Sequence, residues 1–497
     1  MNRREFLELA GGAAALSALE GCATGPGATG GGSAMTNFAV APMETIRIGY
    51  IGIGERGMAA VHRIATIPGV EVAALCDLRP EAVEEARKWL SGRKTLGAMR
   101  EYKGREDSWK GVCDDPGVDV VYICTPAGLH AEMELYALAA GKHVLVEVPG
   151  AQTIDECWAI VEASEKARRH CMMLENCVYG ETEMLAWNLC HLGLLGTLTH
   201  AEGAYIHNLV WRHLENSFRN RKYKPGDVVR KYGNTYPTHP LGPICTYMDM
   251  NRGDRMERIS SFSSLSAAHA EFAAVTYGAD EWQNKLKWLT GDINTSIIKT
   301  ARGRTIMLQL DTSTPRPYSR INLVQGTKGF FRSFPGNAPL ALLAKTPGSE
   351  TECELYESDV FQELRDKYDH PQWRKYDGKP FRELREKYKH PLWRDAEKAA
   401  NIVGGHGGMD YMMDLRWVWC LRKGLSLDMD VYDLASWSAV VPCSAASDRR
   451  GGEPVDLPDF TRGAWATAKP QDFGTVDLGD MGIDPGKLEK DMKQLNV

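Results

Sequence analysis

The stretch IRIGYIGIGERG (46–57) constrains the fold more than any other part of the chain. It is an apolar run that breaks into glycines, Gly52-x-Gly54-x-x-Gly57, and is followed by VHRIATI (61–67), whose apolar positions recur at helical spacing. Strand, tight turn and helix with no spacer make a strand–turn–helix unit, the context in which this glycine spacing carries meaning. Gly52 permits the turn, Gly54 lets the backbone approach a pyrophosphate, and Gly57 lets helix and strand pack closely. The helix N-terminus offers N–H groups and a positive dipole to phosphates, with Glu55 and Arg56 lining the loop. VEVAALCD (70–77), VDVVYICTP (118–126), KHVLVEVP (142–149) and CMMLEN (171–176) then alternate with helical PEAVEEARKWL (80–90), HAEMELYALAAG (130–141) and IDECWAIVEASEKARR (154–169). That rhythm predicts a doubly wound parallel sheet over residues 45–176. Asp77 ends the second strand, twenty residues after Gly57. A carboxylate there accepts hydrogen bonds from ribose hydroxyls and repels a 2′-phosphate, so the expected cofactor is NAD.

Beyond residue 176 the pattern changes. TLTHAEGAYIHN (197–208), SIIKTARGRTIMLQLDT (296–312) and YSRINLVQGTKGFFRSF (318–334) are strand-like. The expected architecture is therefore α/β: an N-terminal Rossmann domain (45–176), then an α+β domain (177–460) built on a large open, mainly antiparallel sheet, and a C-terminal tail (461–497). Within the second domain FQELRDKYDHPQWRK (361–375) recurs as FRELREKYKHPLWRD (381–395). Two copies are too few for a solenoid. They read as surface helices that each stop before a His-Pro turn, or as a lid or sugar platform built from Trp373 and Trp393.

Residues 1–35 are expected to be an export signal and tether. MNRREFLELAGGAAALSALEGC has a basic start, a short apolar run and a small-residue end. Arg3-Arg4-x-Phe6-Leu7 resembles a twin-arginine signal, and Leu19-Glu20-Gly21-Cys22 resembles a lipoprotein box. Both imply an exported bacterial protein, periplasmic or anchored through a lipid on Cys22. The net charge of −6 gives no reason to expect nucleic acid. The 12 cysteines and 13 histidines show no zinc-site spacing, so no metal is expected.

TPAGLH…AAGKHVLVEVP (125–149) resembles the Gfo/Idh/MocA group of nicotinamide sugar oxidoreductases. Many members carry Glu-Lys-Pro with a catalytic lysine where this chain has Glu147-Val148-Pro149. MMLENCVYG (172–180), GNTYPTHPLGP (233–243), DTSTPRPYSRI (311–321) and GGHGGMDY (404–411) resemble glycoside hydrolase family 109, NAD-dependent hydrolases known for α-N-acetylgalactosaminidase activity. The resemblance implies that Glu55, Arg56, Asp77, Thr125, Ala127, Gly128, Leu129, His130, Glu147, Val148 and Asn176 contact NAD, although family members often carry bulky aromatics at 127–129. It implies that Tyr205, Tyr236, Pro237, Thr238, His239 and Tyr318 contact a terminal N-acetylgalactosamine. Homo-oligomers are common in the wider group.

The family chemistry oxidises the sugar at carbon 3, eliminates the glycosidic oxygen after loss of the hydrogen at carbon 2, adds water and reduces again. Net redox is zero. By that resemblance His239 is the candidate for proton transfer at the oxidised hydroxyl, Tyr236 and Tyr318 for proton transfer or orientation at carbons 1 and 2, and Glu147 for orientation or proton transfer. A net sugar or polyol dehydrogenase and a non-catalytic sugar-binding lipoprotein remain as alternatives.

Overall fold

The computed structural model describes residues 35–91, 99–215, 231–334, 341–342, 354–355 and 385–494. The leader with Cys22 and the first copy of the duplicated segment lie outside them. The first sheet contains β1 (Ile46–Ile51), β2 (Val70–Asp77), β3 (Arg100–Lys103), β4 (Val120–Ile123), β5 (His143–Val146) and β6 (Cys171–Met173) in the order β3-β2-β1-β4-β5-β6. Every neighbouring pair is parallel. β4 and β5 are buried at all their residues, as strands covered on both faces must be. The layers on either side come from α1 (Glu55–Ile64), α2 (Pro80–Ser91), α3 (Ser108–Asp114), α4 (His130–Ala139) and α5 (Ile154–Ala167). α5 starts where the sequence dictates, with a capping box between Thr153 and Glu156.

The second sheet joins β7 (Leu198–Ile206), β8 (Met256–Ser263), β9 (Ile293–Thr300), β10 (Thr305–Asp311), β11 (Leu323–Gly326) and β12 (Gly329–Arg332). A short ribbon pairs β13 (Ala341–Leu342) with β14 (Glu354–Leu355), and β15 (Val455–Asp456) completes the large sheet in the order β12-β11-β7-β10-β9-β8-β15. It is mainly antiparallel, with one departure: β7 and β10 run parallel at its centre. One face receives helices. The other leaves Phe262, Ile297 and Phe330 exposed.

The second part of the chain adds the helices α6 (Glu181–His191), α7 (Val210–Leu214), α8 (Thr238–Tyr247), α9 (Ala268–Thr276) and α10 (Pro391–Val403). α11 (Met409–Lys423), α12 (Val431–Arg449) and α13 (Pro485–Gln494) follow. The chain does not stay with the second sheet. α11 returns to pack on α1 and β1, while α12 packs on α5 and β6 as well as on β8. The closing stretch is also more than a tail, since α13 packs on α10 and buries Leu488 and Met492.

The helix ending at Tyr388 stops before His390-Pro391, as the sequence of the second copy predicts. His390 then starts α10 by accepting the Leu392 N–H on Nδ1 at 3.2 Å. Trp393 offers no sugar platform: it is buried, and its indole N–H donates to the Tyr179 carbonyl at 2.9 Å.

The α1–α11 contact is ionic. Arg63 Nε donates to Asp414 Oδ2 at 2.8 Å, with both side chains buried. Removing one member of such a pair leaves an uncompensated buried charge, worth ~3–5 kcal/mol. Asp414→Ala is therefore expected to destabilise the protein by about 3 kcal/mol, read as a lowered denaturation midpoint by calorimetry. A control such as Glu84→Ala, on the exposed face of α2, leaves the midpoint in place.

Candidate active site

The glycine loop divides its labour as the sequence predicts. Gly52 has φ +89°, and a Cβ there would lie 2.7 Å from the Cys124 carbonyl oxygen. A Cβ on Gly57 would lie 2.0 Å from the Gly52 carbonyl oxygen. Gly54 is different: a Cβ there would meet nothing within 4 Å. The loop thus presents an open backbone surface at the N-terminus of α1, the shape and polarity a pyrophosphate takes. At the end of β2, Asp77 Oδ2 accepts the Ile53 N–H at 2.7 Å and Oδ1 accepts the Arg79 N–H at 2.8 Å. The carboxylate braces the loop it was expected to serve. These residues fit a dinucleotide.

Several expected cofactor contacts are engaged inside the protein. Glu55 is exposed, 3.5 Å from Arg212. Arg56 is not free to line the loop: Nε meets Glu147 at 2.5 Å and Nη1 meets Asp410 at 2.7 Å. Asn176 is buried, and Nδ2 donates to Asp410 Oδ1 at 2.5 Å. Thr125 closes the β4 end, with its hydroxyl on Met133 Sδ at 3.4 Å. Ala127, Gly128 and Leu129 form a single 3₁₀ turn in which Gly128 is exposed. The His130 ring nitrogens are engaged by the backbone. The ring is buried, with Nδ1 on the Pro149 carbonyl at 2.9 Å and Nε2 on the Thr125 carbonyl at 2.7 Å, so its polar atoms hold the backbone. Val148 is buried before a cis Pro149.

A second group of side chains forms an aromatic cluster. Tyr205 lies 4.9 Å from Tyr236, 5.5 Å from His239 and 6.4 Å from Tyr318, ring centre to ring centre. Tyr236 Oη and His239 Nε2 are 3.2 Å apart. Tyr318 accepts from Arg320 Nη1 at 2.9 Å, and Arg320 is bound in turn to Glu183 at 2.6 Å. All four rings are only partly buried. Pro237 and Thr238, between Tyr236 and His239 in the sequence, are both buried.

Two glycines let this cluster form. A Cβ on Gly203 of β7 would lie 2.7 Å from Pro240, and a Cβ on Gly242 of α8 would lie 2.7 Å from Glu175 Cγ. α8 therefore lies tight between β7, which carries Tyr205, and the segment after β6, which carries Glu175. The nucleotide end and the aromatic end meet here: His239 is bonded to Glu175, and the next residue, Asn176, is bonded to Asp410, which also takes Arg56 from the glycine-loop helix. Burial, and then the charges of Tyr205, Glu147 and Glu175, hold the Tyr236 phenol well above its usual value.

Sequence reasoning missed Glu175, Glu183, His207, Arg320 and Asp410. Glu175 is fully buried, and its Oε1 accepts His239 Nδ1 at 2.7 Å and the Cys177 N–H at 3.0 Å. An acid closing the apolar run CMML was the available signal. His207 stacks edge-on against Tyr318 at 5.1 Å. Glu175, Cys177 and His239 bring their donor atoms within 4.8 Å of one another, a set a divalent cation could use. Glu175 Oε1 is already shared by His239 Nδ1 and the Cys177 backbone N–H.

Family models match the chain along most of its length. Residues 46–175 match the oxidoreductase family's NAD-binding Rossmann fold. Residues 179–380 and 379–467 match the C-terminal domain of glycosyl hydrolase 109. This chain belongs to glycosyl hydrolase family 109. Within that family it is 41% identical over 476 residues to glycosyl hydrolase family 109 protein 2 of Shewanella sp. strain ANA-3, covering 94% of this chain and 98% of the relative. It is 40% identical over 476 residues to the α-N-acetylgalactosaminidase of Shewanella oneidensis, covering 95% and 98%. Among solved structures, levoglucosan dehydrogenase in complex with NADH and levoglucosan shares the fold, with a TM-score of 0.56 and 19% identity over 84% of this family 109 chain and 100% of that one.

Two outcomes follow from this geometry. Gly54→Ala keeps the melting temperature of the cofactor-free protein but weakens NAD binding, measured by titration with added NAD, whereas Gly57→Ala overpacks the loop and lowers stability by ~1–3 kcal/mol. Acid acts through two carboxylates. Burial raises Asp410 and Glu175, but His406, Arg56 and Arg63 on the first, and His239 on the second, outweigh it and hold both below the usual range. Depressed carboxylates stabilise above their unfolded values near ~4 and lose that contribution as pH falls below them, so the melting temperature should drop steeply below ~pH 4.

Proposed function

We propose that this protein hydrolyses glycosides with a terminal N-acetylgalactosamine, by a cycle in which bound NAD is regenerated at every turnover. One observation carries the reading: a partly open cluster of Tyr205, Tyr236, His239 and Tyr318 is tied through Glu175, and its neighbour Asn176, to the Asp410–Arg56–Glu147 group that borders the glycine loop. When bound, NAD would supply a hydride acceptor at a sugar carbon and give the hydride back. Gly52, Gly54, Gly57 and Asp77 would hold it.

The chain's own residues would do the rest. His239 and Tyr236 would take up and return the proton of the oxidised hydroxyl, a role worth ~10²–10⁴-fold. Tyr318, whose oxygen faces the Arg320 guanidinium, would serve at carbons 1 and 2. Arg320 opposes the burial that pushes that phenol up to about 12. Glu147 is tied to Arg56 and would orient sugar or ribose hydroxyls. The buried Val148 carries no proton, so proton transfer would fall to the aromatic side of the cleft. The basic, short apolar start supports export and attachment through Cys22, and the exposed Phe262, Ile297 and Phe330 support self-association.

The test uses purified protein, no added cofactor and a nitrophenyl α-N-acetylgalactosaminide. Steady-state nitrophenol release, with deuterium entering carbon 2 from heavy water, is expected. His239→Ala should lower kcat at least ~10²-fold, while Val148→Lys should not raise it. Stoichiometric build-up of NADH without aglycone release would point to a net dehydrogenase instead.

A further inference from the structure

We propose that Glu175, His239 and Tyr236 form a single proton relay, with Glu175 as its positioning residue. The proposal rests on the glycosidase reading of this cluster and deepens it. Two contacts in series make the relay, Glu175 Oε1 to His239 Nδ1 at 2.7 Å and His239 Nε2 to Tyr236 Oη at 3.2 Å, and the Tyr236 ring lies in the partly open aromatic cluster, 4.9 Å from Tyr205.

The protonation pattern follows from what each atom can do. A carboxylate only accepts, so His239 Nδ1 must carry the hydrogen that meets Glu175. The ring's other nitrogen, Nε2, is then the acceptor, and the Tyr236 hydroxyl donates to it. Glu175 is fully buried, and its Oε1 also receives the Cys177 N–H at 3.0 Å, which fixes the carboxylate's rotation. Burial alone would favour the neutral acid. The neighbouring His239 and the backbone donor reverse that, so the carboxylate stays ionised. Tyr236 is in the opposite position, since its surroundings resist a free phenolate. A phenol so placed acts as a base only if its own proton leaves as it accepts another.

The relay supplies that path. A sugar hydroxyl bound against Tyr236 gives its proton to the phenol oxygen, and its O–H bonding pair remains on the sugar oxygen. The Tyr236 O–H breaks in the same event, and that proton forms the Nε2–H bond. His239 becomes an imidazolium facing the Glu175 carboxylate, which keeps its charge throughout. The reverse transfer restores the starting state. The group touching substrate is therefore Tyr236, with His239 behind it and Glu175 behind His239.

Glu175→Gln keeps the shape but removes the charge that holds the imidazolium. The assay is nitrophenol release by the full chain with its retained NAD. The expected result is a kcat lowered ~10²–10⁴-fold with KM little changed, and with wild-type melting temperature, NAD content and affinity for free N-acetylgalactosamine. Glu175→Asp, which keeps a carboxylate one methylene shorter, should recover part of the rate. Tyr236→Phe should lose about as much as Glu175→Gln, and the double variant no more than either, because members of one relay are not additive. The Glu175→Asp/Tyr236→Phe cycle gives the same decision if the glutamine variant does not fold. Independent, multiplying losses overturn the relay, as does a Glu175→Gln enzyme with wild-type kcat, or one whose only defect is lost NAD or stability. A wild-type protein that releases no nitrophenol and exchanges no carbon-2 hydrogen removes the glycosidase reading itself, a result separable from additivity among active variants.

Discussion

Arg56 and Arg63 sit on the helix that the glycine loop opens, and they are neutralised by Asp410 and Asp414, some 350 residues further along the chain. Buried guanidinium groups need such partners, since their desolvation is repaid only by close, hydrogen-bonded carboxylates. The clamp fixes more than a helix pair. Asp410 also takes Asn176, and Arg56 also takes Glu147, so the β5 end, the β6 end and the loop are held from one centre. Burial pushes Asp414 up to about 6 even beside Arg63, which marks how strongly this contact is desolvated.

The same economy of charge governs the aromatic end. Glu183 holds Arg320, which holds Tyr318, and Glu175 holds His239, which meets Tyr236. Each phenol is thus backed by a side chain that is itself oriented by a buried carboxylate. Groups placed this way need little reorganisation when charge shifts, which is the physical basis of electrostatic preorganisation. Tyr205, on the β7 strand, contacts both arms through its ring. Gly203 and Gly242 keep the arms close by sparing the volume of two methyl groups.

Much of this was legible in the chain. The two periods, helical and alternating, gave most of both sheets, but β3, whose residues REYK are nowhere buried, and β8 and β15 carried no such signal and were not read. The glycine spacing gave the turn, the open surface and the close packing at Gly52, Gly54 and Gly57 separately. Tyr236, His239 and Tyr318 were found through family motifs, and the fold brings them together. What escaped were partners distant in sequence. Nothing local to His130 says that its ring will meet Pro149, and nothing local to Thr238 says that it turns inward. Asp410 stands in a glycine-rich motif whose pairing with Arg56 exists only in three dimensions. Glu175 was visible as an acid at the end of an apolar strand, but its meaning depends on a histidine 64 residues away.

The return of α11 and α12 to the first sheet has a consequence for how the molecule is made. A ribosome releases β1 to β6 first, yet Arg63 finds Asp414 only after almost the whole chain has emerged. The earliest unit to be synthesised is then completed late, with an exposed helix face and unpaired arginines in the interval. Long-range closure of this kind slows folding and lengthens exposure of apolar surface. The nucleotide loop, first in the sequence, reaches its final rigidity only when the last quarter of the chain arrives.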